Sequence, residues 1–267
     1  MIEALLYYLL LGVVAGTLAG MLGIGGGLII VPVLAFTFEA QGFDSAIVMH
    51  LALGTSLATI VVTSLSSIYT HQRHAAIEWP VVKRLSGGIA VGAMCGALIA
   101  DQLPRDMLQI IFALFTLFAA IQMTFEWRPQ VTRQLPGRTV LAGVGGVIGM
   151  VSAMVGIGGG TMTMPFLLWC NIVVRKAIAT SAACGLPIAV AGAAGYWVAG
   201  LDVVTLPSGS SGYLYWPALL GVVATSVIFA VCGATLAHRL PVKILKKGFA
   251  LLLLAISVRL FMAGLAG

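Results

Sequence analysis

Apolar stretches long enough to cross a lipid bilayer recur along almost the whole chain. Because a helix needs about 20 apolar residues to span a hydrocarbon core about 30 Å thick, each stretch predicts at least one crossing. Only 8% of the residues are charged, too few to cover the surface of a soluble domain of this length. The sequence therefore predicts an all-α polytopic membrane protein with eight to ten membrane segments, built on the apolar runs at residues 4–37, 47–70, 80–100, 106–125, 139–170, 177–200, 215–237 and 242–265.

Charged residues and cysteines exclude several other classes of protein. In a membrane protein Lys and Arg report orientation, so the net charge of +6 does not indicate nucleic-acid binding. The four cysteines lie in apolar stretches without the C-x-x-C spacing of metal sites, and we expect no metal, no cofactor and no disulfide framework. The start of the chain lacks a basic n-region, so we expect membrane sequence there and not a signal peptide.

Five motifs of the first half recur in the same order in the second half, which indicates a duplication. The matched pairs are GMLGIGGGLIIVP at 20–32 with AMVGIGGGTMTMP at 153–165, HLALGTS at 50–56 with RKAIATS at 175–181, Trp79-Pro80 with Trp216-Pro217, Cys95-Gly96 with Cys232-Gly233, and Pro104 with Pro241. The spacing between the two members of a pair stays nearly constant along the chain. We predict a first membrane repeat at residues 1–125, a cytoplasmic linker at 126–137 and a second membrane repeat at 138–267.

Two of the apolar runs are too long for one straight helix. Residues 4–37 and 139–170 would each form a rod about 50 Å long, well beyond the hydrocarbon core. Each run contains Gly-Ile-Gly-Gly-Gly near its middle, at 23–27 and 156–160, where each glycine weakens a helix by about 1 kcal/mol relative to alanine. We predict a broken element in each half, with a helix of about 18 residues followed by one of about 10 residues.

Charge placement distinguishes two ways of threading these broken elements. If each long run crosses the membrane once, seven of the 14 Lys and Arg residues lie on each side. If each run returns to its starting side, twelve of the 14 lie inside and only Arg105 and Arg259 lie outside. The second threading obeys the positive-inside bias. We therefore predict inverted repeats with both chain ends outside, each repeat having a glycine-broken helix hairpin and three or more spanning helices.

The two glycine breaks are the first candidates for a binding site. Backbone N–H groups at the start of the short half-helix have no helical partner and carry partial positive charge, which suits an anion. The alternative is tight helix packing, which we prefer for the stacked glycines at 12, 16 and 20 and at 88, 92 and 96. The candidate substrate ligands at the breaks are Gly23, Gly25, Gly26 and Gly27 in the first half, and Gly156, Gly158, Gly159, Gly160 and Thr161 in the second.

Hydroxyl pairs at equivalent places in the two halves are the next candidates. The hydroxyls of Thr55-Ser56 and Thr180-Ser181 could donate to an oxyanion without the cost of a buried charge. Such side chains also commonly bond to the backbone of their own helix, and the pattern favours neither interpretation. Thr161 and Thr163 have weaker claims, because Leu28 and Ile30 replace them in the first half. No acid or base lies clearly inside a span, which argues against a proton relay of carboxylates.

The glycine breaks, each followed by Pro and then by [GA]-T-S, carry a family resemblance. GTLAGMLGIGGGLIIVP with HLALGTS, and GVIGMVSAMVGIGGGTMTMP with ATS, resemble the sulfite exporter TauE/SafE family over nearly the whole chain. The resemblance implies a bacterial inner-membrane permease for a small sulfur-containing anion such as sulfite, a sulfonate or sulfoacetate. It implies secondary transport without an ATPase subunit, and the sequence has no G-x-x-x-x-G-K-[ST] motif. The coupling ion, a proton or Na⁺, stays open.

This sequence departs from a symmetric pattern in two respects. The second half has Ala179 where the first has Gly54, and neither half offers a basic residue near the break. An anion channel or a transporter of a non-sulfur organic anion would fit the same breaks. A membrane enzyme needs a nucleophile with a base or a metal cluster, which the spans lack at recognisable spacing, so we predict no enzyme. We expect the lipid bilayer and a small anion as partners, and no nucleic acid; a purely structural membrane protein leaves the paired breaks unexplained.

Overall fold

The computed structural model describes residues 2–22, 26–124, 135–237 and 242–266. Within these ranges the chain forms ten helices and a two-stranded antiparallel hairpin. The first half contains α1 (Ile2–Leu22), α2 (Gly27–Ala40), α3 (Val48–Arg73), α4 (Trp79–Asp101) and α5 (Arg105–Thr124). The second half contains α6 (Arg138–Met154), α7 (Gly160–Trp169), α8 (Val174–Ala199), β1 (Ser210–Ser211), β2 (Leu214–Tyr215), α9 (Trp216–Ala237) and α10 (Val242–Ala266).

The described helices have the length and composition of a membrane protein. Five are long and apolar enough to cross a bilayer, namely α3, α4, α5, α8 and the Lys247–Leu265 part of α10. Shorter apolar stretches occur in α1, α2, α6 and α9. The prediction of an all-α polytopic membrane protein is confirmed. Of the predicted linker at 126–137, residues 126–134 lie outside the described part of the chain.

Each of the two longest apolar runs contains two helices and not one, as predicted. In the first half α1 ends at Leu22 and α2 begins at Gly27, while Gly23 and Gly25 lie outside the described residues. In the second half α6 ends at Met154 and the short α7 begins at Gly160. Gly156 has a φ of +67°, a left-handed conformation that side chains disfavour, so the glycine permits the turn that ends α6.

Helices α4 and α6, from opposite halves, pack side by side through glycines. A Cβ atom on Gly88 would collide with the backbone of Ala142, and one on Gly96 would collide with the backbone of Met150. Because the residue numbers rise together along both helices, α4 and α6 run parallel. The close packing predicted for the stacked glycines of α4 is confirmed.

Helices α1 and α9 form a second seam of the same kind. Gly12 lies against Val222, and Gly16 lies against Ser226, so these helices are also parallel. Both contacts recur between α6 and α4 at the equivalent positions of the two repeats. The first helix of each half therefore packs on the fourth helix of the other half.

Helices that are equivalent in the two halves run in opposite directions where they meet. Gly192 of α8 lies against Leu57 of α3, whereas Gly185 lies against Ser64. The residue numbers change in opposite senses, so α3 and α8 are antiparallel. The residue numbers of the contacting positions in α5 and α10 also change in opposite senses, so these two helices are antiparallel.

The helix bundle has two ends of different charge. The end that carries β1–β2, here called the hairpin end, also carries the ion pair between Arg105 and Glu39. The end that carries the starts of α4, α6 and α8, here called the basic end, has an ion pair of 2.6 Å between Lys176 and Glu78. The helix directions place Glu39, Asp44, Asp101, Asp106 and Asp202 at the hairpin end, and Arg73, Lys83, Arg84, Arg138, Arg175 and Lys176 at the basic end.

Candidate functional site

The start of α7 presents backbone donors without acceptors. The N–H groups of residues 158–162 make no hydrogen bond within the described part of the chain, and the first regular bond runs from Thr163 N–H to the Gly159 carbonyl at 2.9 Å. Residues 158, 159 and 161 are buried. Such N–H groups carry partial positive charge, and the hydrocarbon region offers little water to satisfy them. They are therefore available as hydrogen-bond donors, and the start of α7 is here called the donor site.

Two threonine hydroxyls beside these donors are also unpartnered. Thr161 and Thr163 are 8% and 0% exposed, and neither hydroxyl has a hydrogen-bond partner in the described residues. Thr163 Oγ1 lies next to the break, because a Cβ atom on Gly159 would come within 3.2 Å of it. Buried hydroxyls nearly always have a partner, so these two are candidates for hydrogen bonding to a bound solute. Thr163, a weaker candidate in the sequence, lies at the break.

The middle of α8 and α3 encloses this donor site. A Cβ atom on Gly159 would lie 2.8 Å from the Ser181 carbonyl, and one on Gly185 would lie 3.4 Å from the Ser64 hydroxyl. Ser64 is buried, and sequence reasoning did not select it. Its position two helical turns after Ser56 along α3 is the signal that could have found it. These neighbours are polar and uncharged.

The first glycine break has a different chemistry. Its bond from the Ile30 N–H to the Gly26 carbonyl, at 3.0 Å, matches the bond from Thr163 to Gly159, but the positions of the two α7 threonines are taken by Leu28 and Ile30. A Cβ atom on Gly27 would lie 2.9 Å from the Cα atom of Ile157, so the two breaks pack directly on one another. The structure thus brings both breaks together, but polar side chains surround only the second among the described residues.

Ser56 ties the second break to α3. Its hydroxyl donates to the carbonyl of Gly156 at 2.9 Å. A Cβ atom on Gly156 would lie 2.9 Å from the Leu53 side chain, so the turn is also closely packed. Ser181, the counterpart of Ser56, instead donates to the carbonyl of Ile178 in its own helix, at 2.9 Å. The two serines therefore differ, and only Ser56 contacts a break through its hydroxyl.

The two threonines of the T-S pairs accept hydrogen bonds from the opposite half. Thr55 Oγ1 accepts from the N–H of Tyr215, and Thr180 Oγ1 accepts from the N–H of Glu78, both at 3.0 Å. Thr55 and Thr180 are fully buried. When the T-S and Trp-Pro motifs of the two halves are aligned, Thr180 matches Thr55 and Tyr215 matches Glu78, so the two bonds join matching positions. Each threonine thus contacts a connection between two helices.

Other groups that could carry chemistry are few in the part of the chain that the structure describes. There is no group of three or more His, Cys, Asp or Glu side chains that could hold a metal ion. His50 is buried near the hairpin end, where Nε2 lies 3.1 Å from the Ala100 carbonyl and the ring stacks on Tyr213. The chemistry available at the start of α7 is therefore hydrogen-bond donation to a ligand.

Comparison with known families identifies the class of protein that carries this arrangement. The sequence profile of the sulfite exporter TauE/SafE family matches residues 8–260, which include both glycine breaks. The chain belongs to the sulfite exporter TauE/SafE family. As a TauE/SafE protein with several apolar helices, it is a multi-pass membrane transporter.

Relatives of this TauE/SafE protein carry names of the same class. A probable membrane transporter protein of Haemophilus influenzae is 38% identical over 265 residues, which cover 98% of this chain and 100% of the relative. The probable membrane transporter protein YdhB of Bacillus subtilis is 27% identical over 240 residues, covering 86% of this chain and 89% of YdhB. No solved structure gives a significant match.

Proposed function

We propose that this TauE/SafE protein is a secondary permease that carries a small sulfur-containing anion, such as sulfite, a sulfonate or sulfoacetate, across the bacterial inner membrane. The observation that carries the proposal is the start of α7, where unpartnered N–H groups of residues 158–162 lie beside the unpartnered hydroxyls of Thr161 and Thr163. The family name supports the choice of a sulfur anion.

Hydrogen-bond polarity favours an anion at this site. Every unpartnered group there is an N–H or an O–H, and sulfur oxyanions accept several such bonds at once. A cation would meet the positive end of the helix dipole. Since no Lys or Arg takes part among the described neighbours, the anion is held by dipoles alone, which leaves binding weak enough for release during transport.

We also propose that the two halves are inverted repeats. The antiparallel directions of α3 with α8 and of α5 with α10, which are equivalent in the repeats, support this. The positive-inside bias then assigns the basic end to the cytoplasm and the hairpin end to the outside. Both chain ends lie at the hairpin end in this threading, because α1 and α9 are parallel and α10 is antiparallel to α5.

Transport would proceed by alternating access around the second break, driven by a proton or a Na⁺ gradient without an ATPase. The moving units would be helix pairs and not the sequence halves. Because the α1–α9 and α4–α6 seams join opposite halves through backbone contacts, rocking one half against the other would break both seams. We infer that these two pairs move against the central α3–α8 pair.

Anion flux in proteoliposomes tests the proposed function. Labelled sulfite would be the substrate, with thiosulfate, sulfoacetate, sulfate and a carboxylate as competitors, under a pH or a Na⁺ gradient. We expect saturable flux that sulfur oxyanions block. Gly159→Ala should abolish flux, because its Cβ atom would lie 2.8 Å from the Ser181 carbonyl. Gly143→Ala is the matched control, since no atom lies within 4 Å of that position, and it should transport normally.

The other outcomes of this experiment select the alternatives. Saturable flux of the carboxylate with no competition by sulfur oxyanions would make the substrate a non-sulfur organic anion. Flux that does not saturate would indicate an anion channel. Absence of flux under both gradients, or equal flux through the two alanine variants, would contradict the proposal and its assignment of the site.

A further inference from the structure

The connection between α8 and α9 closes the hairpin end of the bundle. Tyr213 in this connection is 5% exposed, and its N–H donates to the Tyr196 carbonyl at 3.2 Å. Its ring stacks on His50, and its carbonyl lies so close to Gly54 that a Cβ atom there would collide with it. Burial and the nearby Asp101 carboxylate raise the pKa of the Tyr213 phenol above its ordinary value, so the closing side chain stays neutral.

The connection between α3 and α4 occupies the equivalent place at the basic end. Ala76 and Ile77 are buried, although they lie between two helices at the end of the bundle. Ala76 corresponds to Tyr213 when the two Trp-Pro motifs are aligned. Next to them, Glu78 pairs with Lys176 of α8 at 2.6 Å. A buried segment that precedes a Trp-Pro helix start therefore packs at each end of the bundle, and these two are here called the closing segments.

One threonine ties each closing segment to the opposite half of the chain. Thr55 accepts from Tyr215 N–H at the hairpin end, and Thr180 accepts from Glu78 N–H at the basic end. We propose that Thr55 and Thr180 are paired latches, positioning residues that hold the two ends of the transport pathway closed. This inference rests on the proposed transport function and adds to it the control of access from each side.

At each end the threonine adds one neutral hydrogen bond to the other contacts of the closing segment, and such a bond suits this task. Its net contribution is small, because water can replace the threonine once the segment moves, whereas a buried ion pair leaves an expensive unpaired charge when it breaks. The two latches lie at opposite ends and share no residue, so one can open while the other stays closed. Alternating access requires this independence.

The latch role replaces the substrate-binding role that the sequence suggested for Thr55 and Thr180. In each case the hydroxyl oxygen already accepts from a backbone N–H at 3.0 Å, and that N–H belongs to a closing segment. Neither hydroxyl bonds to a described residue of a glycine break. The two residues of the T-S motif in the first half therefore have different partners. Thr55 accepts a hydrogen bond from the α8–α9 connection, and Ser56 donates to the carbonyl of Gly156.

Labelling a reporter cysteine from one side at a time tests the latches. Ile60→Cys places the reporter near the middle of α3, beside Gly158, in a protein whose four native cysteines are replaced by alanine. A membrane-impermeant maleimide is added to right-side-out or inverted vesicles. We expect Thr55→Val to speed labelling about five-fold from the hairpin end only, and Thr180→Val to do so from the basic end only.

Serine variants are the matched controls for the labelling experiment. Thr55→Ser and Thr180→Ser retain the hydroxyl and should label at the unmodified rate. Faster labelling of a valine variant from both ends, from the opposite end or from neither would overturn the proposal.

Hydrogen–deuterium exchange of the unmodified protein does not depend on any variant folding. The amides of Tyr215 and Glu78 should exchange more slowly than those of Gly212 and Ile77, which donate to no backbone carbonyl of the described residues, and fast exchange at both would also overturn the proposal. Neither measurement uses a substrate, so a failure of the latches and a failure of sulfite flux are separate results.

Discussion

Single residues make the two glycine breaks chemically different although their glycine patterns are the same. Thr161 and Thr163 follow the second break with unpartnered hydroxyls, whereas Leu28 and Ile30 occupy the equivalent positions of the first. The same Gly-Ile-Gly-Gly-Gly pattern occurs at both breaks, but the side chains beside it decide whether the surroundings suit an anion. The asymmetry favours the second break as the anion site, with the first packed against it through Gly27.

Removal of one site hydroxyl should weaken anion binding without weakening the fold. Thr163→Val is expected to raise the KM for the transported anion about ten-fold, because a hydrogen bond to a charged ligand is worth about 1.5–3 kcal/mol. Thr116→Val is the matched control, since Thr116 is equally buried but donates to carbonyls of its own helix. The concentration dependence of flux measures both. An equal change of KM in the two variants would contradict a ligand role for Thr163.

The difference between Gly54 in the first half and Ala179 in the second has a steric explanation that involves single residues. A Cβ atom at position 54 would collide with the carbonyl of Tyr213, which the hairpin connection inserts against α3. The α3–α4 connection has the small Ala76 at the place of Tyr213, and Ala179 is fully buried without excluding it. The T-S motifs therefore tolerate glycine or alanine at this position according to the segment that packs on them.

At the scale of elements, glycine seams decide which helices are neighbours. Without a strong hydrophobic drive between helices in lipid, close backbone approach is what holds them together. The α4–α6 and α1–α9 seams supply this approach between opposite halves. They also bring the start of α6 next to the start of α4, which places both helix starts at the basic end.

A bulky residue in a seam should destabilise the protein, while one beside it should not. Gly92→Val would drive a side chain into the backbone of Gly146, and we expect a loss of about 1–3 kcal/mol or more in stability. Gly87→Val, on the same helix, meets no atom within 4 Å and serves as the control. Thermal unfolding of the purified proteins in detergent measures the difference. Similar melting of both variants would argue against the seam.

The whole molecule separates acidic and basic residues between its two ends. The acids Glu39, Asp44, Asp101, Asp106 and Asp202 lie at the hairpin end, and bases such as Arg73, Arg84 and Lys176 lie at the basic end, while Arg105 and Arg259 are bases of the hairpin end. Arg105 pairs with Glu39, and Arg259 lies over the ring of Phe36. The membrane potential and the insertion machinery act on such an asymmetry, which sets the orientation of the whole bundle.

The orientation leads to a prediction for reporters fused at different points of the chain. Alkaline phosphatase fused after Gly267 should be active, because we expect the C-terminus outside the cytoplasm, and a green fluorescent protein fused there should stay dark. A reporter placed in the linker at 126–137 should give the opposite pattern. Enzyme activity and fluorescence in intact cells measure this, and a fluorescent C-terminal fusion would contradict the orientation.

The sequence by itself determined the membrane class, the two breaks and the expected orientation. These properties follow from local quantities: the hydropathy of about 20 consecutive residues, the low helix propensity of glycine and the side on which Lys and Arg fall. The same reasoning selected the glycines of both breaks and Thr161 as candidate ligands, without distinguishing between the two breaks. It required no knowledge of how the helices pack.

Only the tertiary structure decided which partners the hydroxyls have. The partner of Thr55 is 160 residues away and that of Thr180 is 102 residues away, so no local pattern could name them. The unpartnered state of Thr163 depends likewise on what α3 and α8 place around Gly159. A hydroxyl can bond to its own helix, another helix or a ligand at similar energy, and the packing of distant segments chooses among them.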